Sequence, residues 1–204
     1  RMAVRFFGGY NLTSIDLNSE SLVSEAYKKG VTMGADLMYD DNQTPEFIVW
    51  AQKDKNSAPL QRVQIVKGWM DSVSGRPYEK VYDVACSDGL EVDPLTNRCP
   101  DNGARVNISD CSIPQNIGSS ELKTVWQDPQ FNSKDKSFYY VRVLENPTCR
   151  WSTWDAINRG FEAREDLHET IQERAWSSPI WYIPQKTGVE VIPLGGSIQL
   201  RSAD

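Results

Sequence analysis

The segment Ser137–Trp151, SFYYVRVLENPTCRW, limits the folds open to this chain more than any other stretch. From Phe138 to Leu144 nearly every side chain is aromatic or β-branched, and Arg142 is the only charge. Such a run predicts a strand inside a sheet, covered on both faces. Pro147 marks its end, because proline has no N–H to give to a ladder.

The remaining chain supplies partners for that strand. Met2–Phe7 is strand-like and closes on Gly8-Gly9. Glu46–Gln52, Leu60–Met70 and Tyr78–Cys86 are strand runs separated by DKNSAP and DSVSGRP, both of which carry turn chemistry. Their spacing predicts an antiparallel meander, and with Glu121–Trp126 a sandwich. A helix is expected over Glu20–Lys29, capped by Asn18 or Ser19 and closed by Gly30 as its C′ residue. A second short helix should follow Ser152/Thr153 and stop at Gly160. Ser87–Asn116 reads as a long surface excursion, and Phe161–Glu173 fits either a helix or a solvated loop. Trp176–Pro184 has the character of an edge strand interrupted by Pro179. The expected fold is therefore mainly β: an antiparallel sandwich-like domain with one or two short helices and long loops. It should occupy residues 1–184 as a single domain, with 185–204 a C-terminal extension that forms a hairpin around Gly195-Gly196.

A net charge of −6 and the lack of a basic stripe argue against a nucleic-acid partner, which needs clustered Lys and Arg to neutralise phosphates. No apolar run approaches the ~20 residues that span a bilayer. The chain opens RMAVRFFGG, already in a strand pattern, and is expected to be a piece of a longer protein with any targeting segment upstream.

Cys86, Cys99, Cys111 and Cys149 are spaced by 13, 12 and 38 residues, with no CxxC pair. With one histidine in the whole chain, a zinc site is not expected. Disulfides formed in an oxidising compartment are the better reading. Three pairings are open, and the sequence does not choose among them.

Reactive constellations are scarce. His168 stands alone in REDLHET, so neither a two-histidine metal centre nor a Ser–His–Asp triad is available, and a surface role follows. The glycine pairs lack the spacing of phosphate loops. Asp88, Asp93, Asn97, Asp101, Asn102 and Asp110 carry the oxygen ligands that calcium takes, but not at the spacing of an EF-hand loop. Asp36, Asp40 and Asp41 form a weaker group of the same kind. Trp69, Trp126, Trp151, Trp154, Trp176 and Trp181 offer rings for stacking sugars, although core packing uses the same residues.

Four tracts, RVQIVKGW (Arg62–Trp69), YDVACS (Tyr82–Ser87), FYYVRVLENPTCRWSTWDA (Phe138–Ala156) and IQERAWSSPIWY (Ile171–Tyr182), together resemble the C-terminal part of a bacterial family catalogued as domain-of-unknown-function family 3604. The opening RMAVRFFGGY is similar to the segment that follows a metallohydrolase-like domain in that family. Members resemble PHP (polymerase and histidinol phosphatase) and amidohydrolase-type metallohydrolases, whose metal ligands lie N-terminal to the region matched here. The resemblance implies a periplasmic or secreted accessory β domain of a metal-dependent hydrolase, with the divalent metal held elsewhere and no cofactor in this chain. Its partner would be the N-terminal hydrolase-like domain, which it would buttress and whose cleft it would help to shape. Arg62, Glu173, Arg174 and Trp176 are the candidates for that cleft or interdomain role, being polar or bulky groups within strand-like tracts. The competing class is an independent module that binds carbohydrate or another ligand through exposed tryptophans.

Overall fold

A computed structural model describes residues 2–40, 43–162 and 164–185, and the backbone of 191–194 and 197–200. In chain order the elements are β1 (Ala3–Gly9), a 3-10 turn (Leu12–Ser14), α1 (Leu22–Lys29), β2 (Gly30–Thr32), β3 (Asp36–Met38), β4 (Glu46–Gln52), β5 (Leu60–Met70), β6 (Pro77–Cys86), β7 (Glu121–Gln127), β8 (Lys136–Glu145), β9 (Thr148–Cys149), α2 (Trp151–Arg159), β10 (Thr170–Ile171), β11 (Arg174–Trp176), β12 (Ile180–Ile183), β13 (Val191–Leu194) and β14 (Ser197–Leu200). The mainly β, antiparallel sandwich-like class is what the sequence predicts.

Two sheets form the sandwich. One has the order β2-β1-β4-β7; the other runs β3-β12-β8-β5-β6, with β11 also pairing β8. The strands therefore do not form a simple meander: β4 pairs β1 and β7, and the chain crosses to the other sheet before β5. Phe6, Phe47, Val49 and Leu122 of the first sheet meet Val63, Ile65, Tyr139, Val141 and Ile180 of the second to make the main core. Burying these aliphatic and aromatic groups contributes about 1.5–3 kcal/mol per large side chain.

A second, smaller core lies on the opposite face of the four-stranded sheet. There Leu12, Leu22 and Ala26, from the 3-10 turn and α1, cover Phe7 and Ile48. The doubly covered strand is consequently β4, which alternation alone cannot reveal. In β8 only one face is fully buried, through Tyr139, Val141 and Val143; Phe138, Tyr140 and Arg142 alternate with them and remain half-buried. The expectation of a strand covered on both faces is corrected here, while its central place holds, with β5 on one side and β11 and β12 on the other.

Local details differ from the sequence reading for physical reasons. The α1 N-cap is Ser21, and Ser19 Oγ instead accepts the Ser21 N–H at 3.1 Å. Gly30 is extended at φ −145° and starts β2 at once, so the helix has no left-handed C′ residue. Its lack of a side chain serves close approach instead: a Cβ there would stand 2.5 Å from the Gly8 carbonyl oxygen. Gly160, at φ +67°, does close α2 as expected, whereas the N-cap is Arg150. Residues 161–162 and 164–173 are largely irregular, apart from β10 pairing β9. β12 is not an edge strand, because β3 pairs in parallel on its far side. β13 and β14 pair antiparallel, while Gly195-Gly196, the centre of the expected hairpin, lie outside the described residues.

All four cysteines are oxidised, as Cys86–Cys99 and Cys111–Cys149 with Cα atoms 5.6 Å apart in each. The first ties the excursion to the end of β6, and the second ties it to β9 beside α2.

Candidate functional site

The outward face of the six-stranded sheet carries a continuous row of aromatic rings. Strand alternation puts Phe138, Tyr140 and Arg142 of β8 on this face, and cross-strand register sets Trp181 opposite Phe138 and Trp176 opposite Arg142. Ring centroids lie 5.3 Å apart for Trp181–Phe138, 6.3 Å for Phe138–Tyr140 and 5.8 Å for Tyr140–Trp176. The Arg142 guanidinium closes the row 5.3 Å above the Trp176 ring. Trp176 and Trp181 remain 54% and 44% exposed, so the row is a surface and not a core layer.

The row is held from behind. Gly68 of β5 faces Phe138, and a Cβ there would be 2.2 Å from the ring, so the absence of a side chain lets Phe138 lie flat across the strand. Arg142 Nε donates to Gln64 Oε1 at 2.6 Å, and Gln64 Nε2 donates to Asp83 Oδ1 at 2.6 Å. At the Trp181 end a concavity of about 500 Å³ opens, walled by Trp69, Tyr78, Phe138 and Trp181, with Glu79 and Lys136 as charged groups. Aromatic walls with a few polar groups at this volume are typical of ligand sites. Burial, with the Glu79 charge, raises the Tyr140 phenol, which therefore keeps its proton and its donor capacity at neutral pH.

The other tryptophans separate by location. Trp126 packs against Phe47, Tyr82 and Tyr139, next to the core. Trp69 stacks on Tyr78 at 5.4 Å, while Trp151 and Trp154 are exposed on α2, apart from the row. Of the four candidate cleft residues, Trp176 belongs to the row. Arg174 and Arg62 sit opposite Leu144 from its two sides, across β11 and β5. Glu173 and Arg174 line a separate recess of about 350 Å³ with Met2, Ser57 and Glu145.

The acidic residues of the excursion are not drawn together. Asp93 accepts the Leu95 and Thr96 N–H groups, Asp88 that of Gly118, Asp110 that of Ser112, and Asp101 holds Arg105. Among the described residues no group of three or more His, Cys, Asp or Glu side chains is placed to hold a metal ion. Asp41 of the weaker group lies outside the described residues, and Asp40 accepts from Gln43. His168 is exposed.

Sequence reasoning missed a buried polar cluster. Lys67 Nζ meets Asp128 Oδ2 at 2.5 Å, Tyr139 donates to the same oxygen at 2.8 Å, and the Gln130 carbonyl accepts from Lys67 at 2.7 Å. Burial, reinforced by the Asp128 charge, pushes the Tyr139 phenol far up and Tyr82 to about 12. The only sequence signal was the lone lysine in RVQIVKGW. No helix of the described residues is long and apolar enough to cross a membrane.

No curated protein and no solved structure gives a significant match to this chain. The family described as "Protein of unknown function (DUF3604)" matches residues 1–184, which carry both sheets and the aromatic row, and the chain belongs to that family.

Proposed function

We propose that this chain is an accessory β-sandwich domain that binds carbohydrate through the outward aromatic row. One observation carries the reading: Trp181, Phe138, Tyr140 and Trp176 form an unbroken line of rings on an otherwise open sheet face, with a tryptophan half exposed at each end. A pyranose has an apolar C–H face and a polar rim, so it needs flat rings beneath and hydrogen-bonding groups beside. Trp and Tyr supply large contact area with a polar tip, and Arg142, Glu79 and Lys136 stand beside them. On this reading the domain contributes binding, and any metal-dependent hydrolysis belongs to another part of the bacterial protein. The two disulfides favour a periplasmic or secreted setting.

A specific observation favours a second, structural role for the neighbouring edge. Glu173 and Arg174 share their recess with Met2, so a hydrolase-like domain preceding this one would leave it beside these residues, where it could be buttressed. A glycan array probed with the full chain tests the main reading. Binding to a defined glycan class, lost in Trp176→Ala protein of unchanged circular dichroism, supports it; an array without signal counts against it.

A further inference from the structure

The polar cavity behind the excursion has a different character from the aromatic row. It measures about 590 Å³, and its walls include Arg62, Asp101, Arg105, Thr170 and Gln172. Arg62 is the unusual member. Its side chain is only 25% exposed, and its Nε is shut off from solvent with no hydrogen-bond partner among the described residues. The nearest carboxylate oxygen, Asp83 Oδ2, is 3.8 Å from Nε, too far for a hydrogen bond. Asp83 is already engaged, accepting from Gln64 at 2.6 Å and from the Cys99 N–H at 2.8 Å, with Arg98 at 3.4 Å. Arginine carries five N–H donors in a planar fork, and leaving the Nε–H unpaired under burial is costly.

The surrounding charges define what fits. Asp101 is bound at both oxygens by Arg105, and hydrogen bonds from Arg105 and the Gly103 N–H hold its carboxyl down at about 2. Among the side chains that wall the cavity, Arg62 and Arg105 stand against this one carboxylate, while Arg98 and Asp83 lie behind. The cavity thus has one positive charge in excess within a chain of net charge −6. A monoanion balances that excess, whereas a dianion overcompensates it beside Asp101. A planar carboxylate matches the fork in two parallel hydrogen bonds. The volume exceeds what a bare carboxylate fills and lies in the range of small-molecule sites. Gln172 Nε2 is committed to Gln61 Oε1 at 2.9 Å and the Glu145 carbonyl at 3.2 Å, which fixes its amide oxygen as an acceptor for hydroxyl groups.

We infer that this cavity binds a hydroxylated carboxylic acid of about monosaccharide size, with its carboxylate paired to Arg62. The site rests on its own geometry and does not depend on the aromatic row.

The test uses the full chain, the Arg62 Nε–H signal in nitrogen-15 NMR spectra, and titrations with sodium glucuronate, glucuronate methyl ester and sodium sulfate. Glucuronate shifts the Arg62 signal saturably, and the neutral ester does not. Arg62→Gln weakens glucuronate binding at least tenfold, and Arg62→Lys weakens it less. An unmoved Arg62 signal, equal shifts with the ester, or a response to sulfate alone would overturn the assignment. The wild-type titration decides the matter even if an Arg62 variant fails to fold.

Discussion

Phe138 lies across Gly68 on the neighbouring strand, so close that a Cβ at position 68 would stand 2.2 Å from the ring. This pairing sets the height of the aromatic row, because Phe138 links Trp181 to Tyr140. Gly68→Ala must push the ring outward, and overpacking of this kind costs about 1–3 kcal/mol. Thermal unfolding should show the loss, and tryptophan fluorescence should report a changed Trp181 environment in the folded variant.

The Lys67–Asp128 pair should behave as a buried ion pair whose partners depend on one another. Lys67→Met leaves the Asp128 carboxylate with hydrogen bonds from Tyr139 and the Gln130 N–H but no counter-charge, and breaking such a pair costs about 3–5 kcal/mol. Tyr139→Phe removes one hydrogen bond to a charged group and should cost less, about 1.5–3 kcal/mol. Denaturant unfolding of the two variants and the double mutant gives the coupling directly.

Glu145 supplies a pH dependence. It is 2% exposed, and Ser57 Oγ donates to it. Burial raises its carboxyl above the ordinary range, Glu173 adds to this, and Ser57 and Lys53 oppose it. The folded state therefore holds the proton more tightly than the unfolded state. The stability from this group is fully present below the ordinary carboxylate range and is lost as pH rises through the raised value. Glu145→Gln keeps an acceptor for Ser57 and should flatten this part of the pH profile, measured by denaturant unfolding from acid to neutral pH.

Reduction should loosen the excursion without dissolving the sandwich. The loops closed by Cys86–Cys99 and Cys111–Cys149 span 13 and 38 residues, which in the chain-entropy account contribute about 3 and about 4 kcal/mol. Under reductant, hydrogen exchange should rise across 87–116 while β5 and β8 stay protected. Cys99→Ser should also free the Asp83 environment and reduce Arg62 order in the polar cavity.

Much of this fold is legible from local pattern. Glu46–Gln52 and Leu60–Met70 are strands at the predicted boundaries, since turn residues flank them tightly. What eluded sequence reasoning depends on tertiary partners. β4 and β8 look alike as apolar runs, but only β4 has α1 behind it. The clue in β8 was the phase of Arg142, which shares its face with Phe138 and Tyr140 and so marks the open side. Trp176 could be singled out by size, but its place beside Arg142 follows from register across strands far apart in sequence. The Lys67 cluster was hidden because Asp128 reads as an ordinary Asp-Pro turn residue. Cysteine pairing is likewise a matter of where the excursion folds back.

Whether the outward row is a carbohydrate-binding surface is decided by calorimetric titration of the full chain with oligosaccharides. Saturable binding is expected, weakening roughly tenfold, about 1.4 kcal/mol, on Trp176→Ala and on Trp181→Ala, with unfolding midpoints unchanged. Binding of wild-type strength in both variants, or no binding across neutral and acidic oligosaccharides, would contradict it.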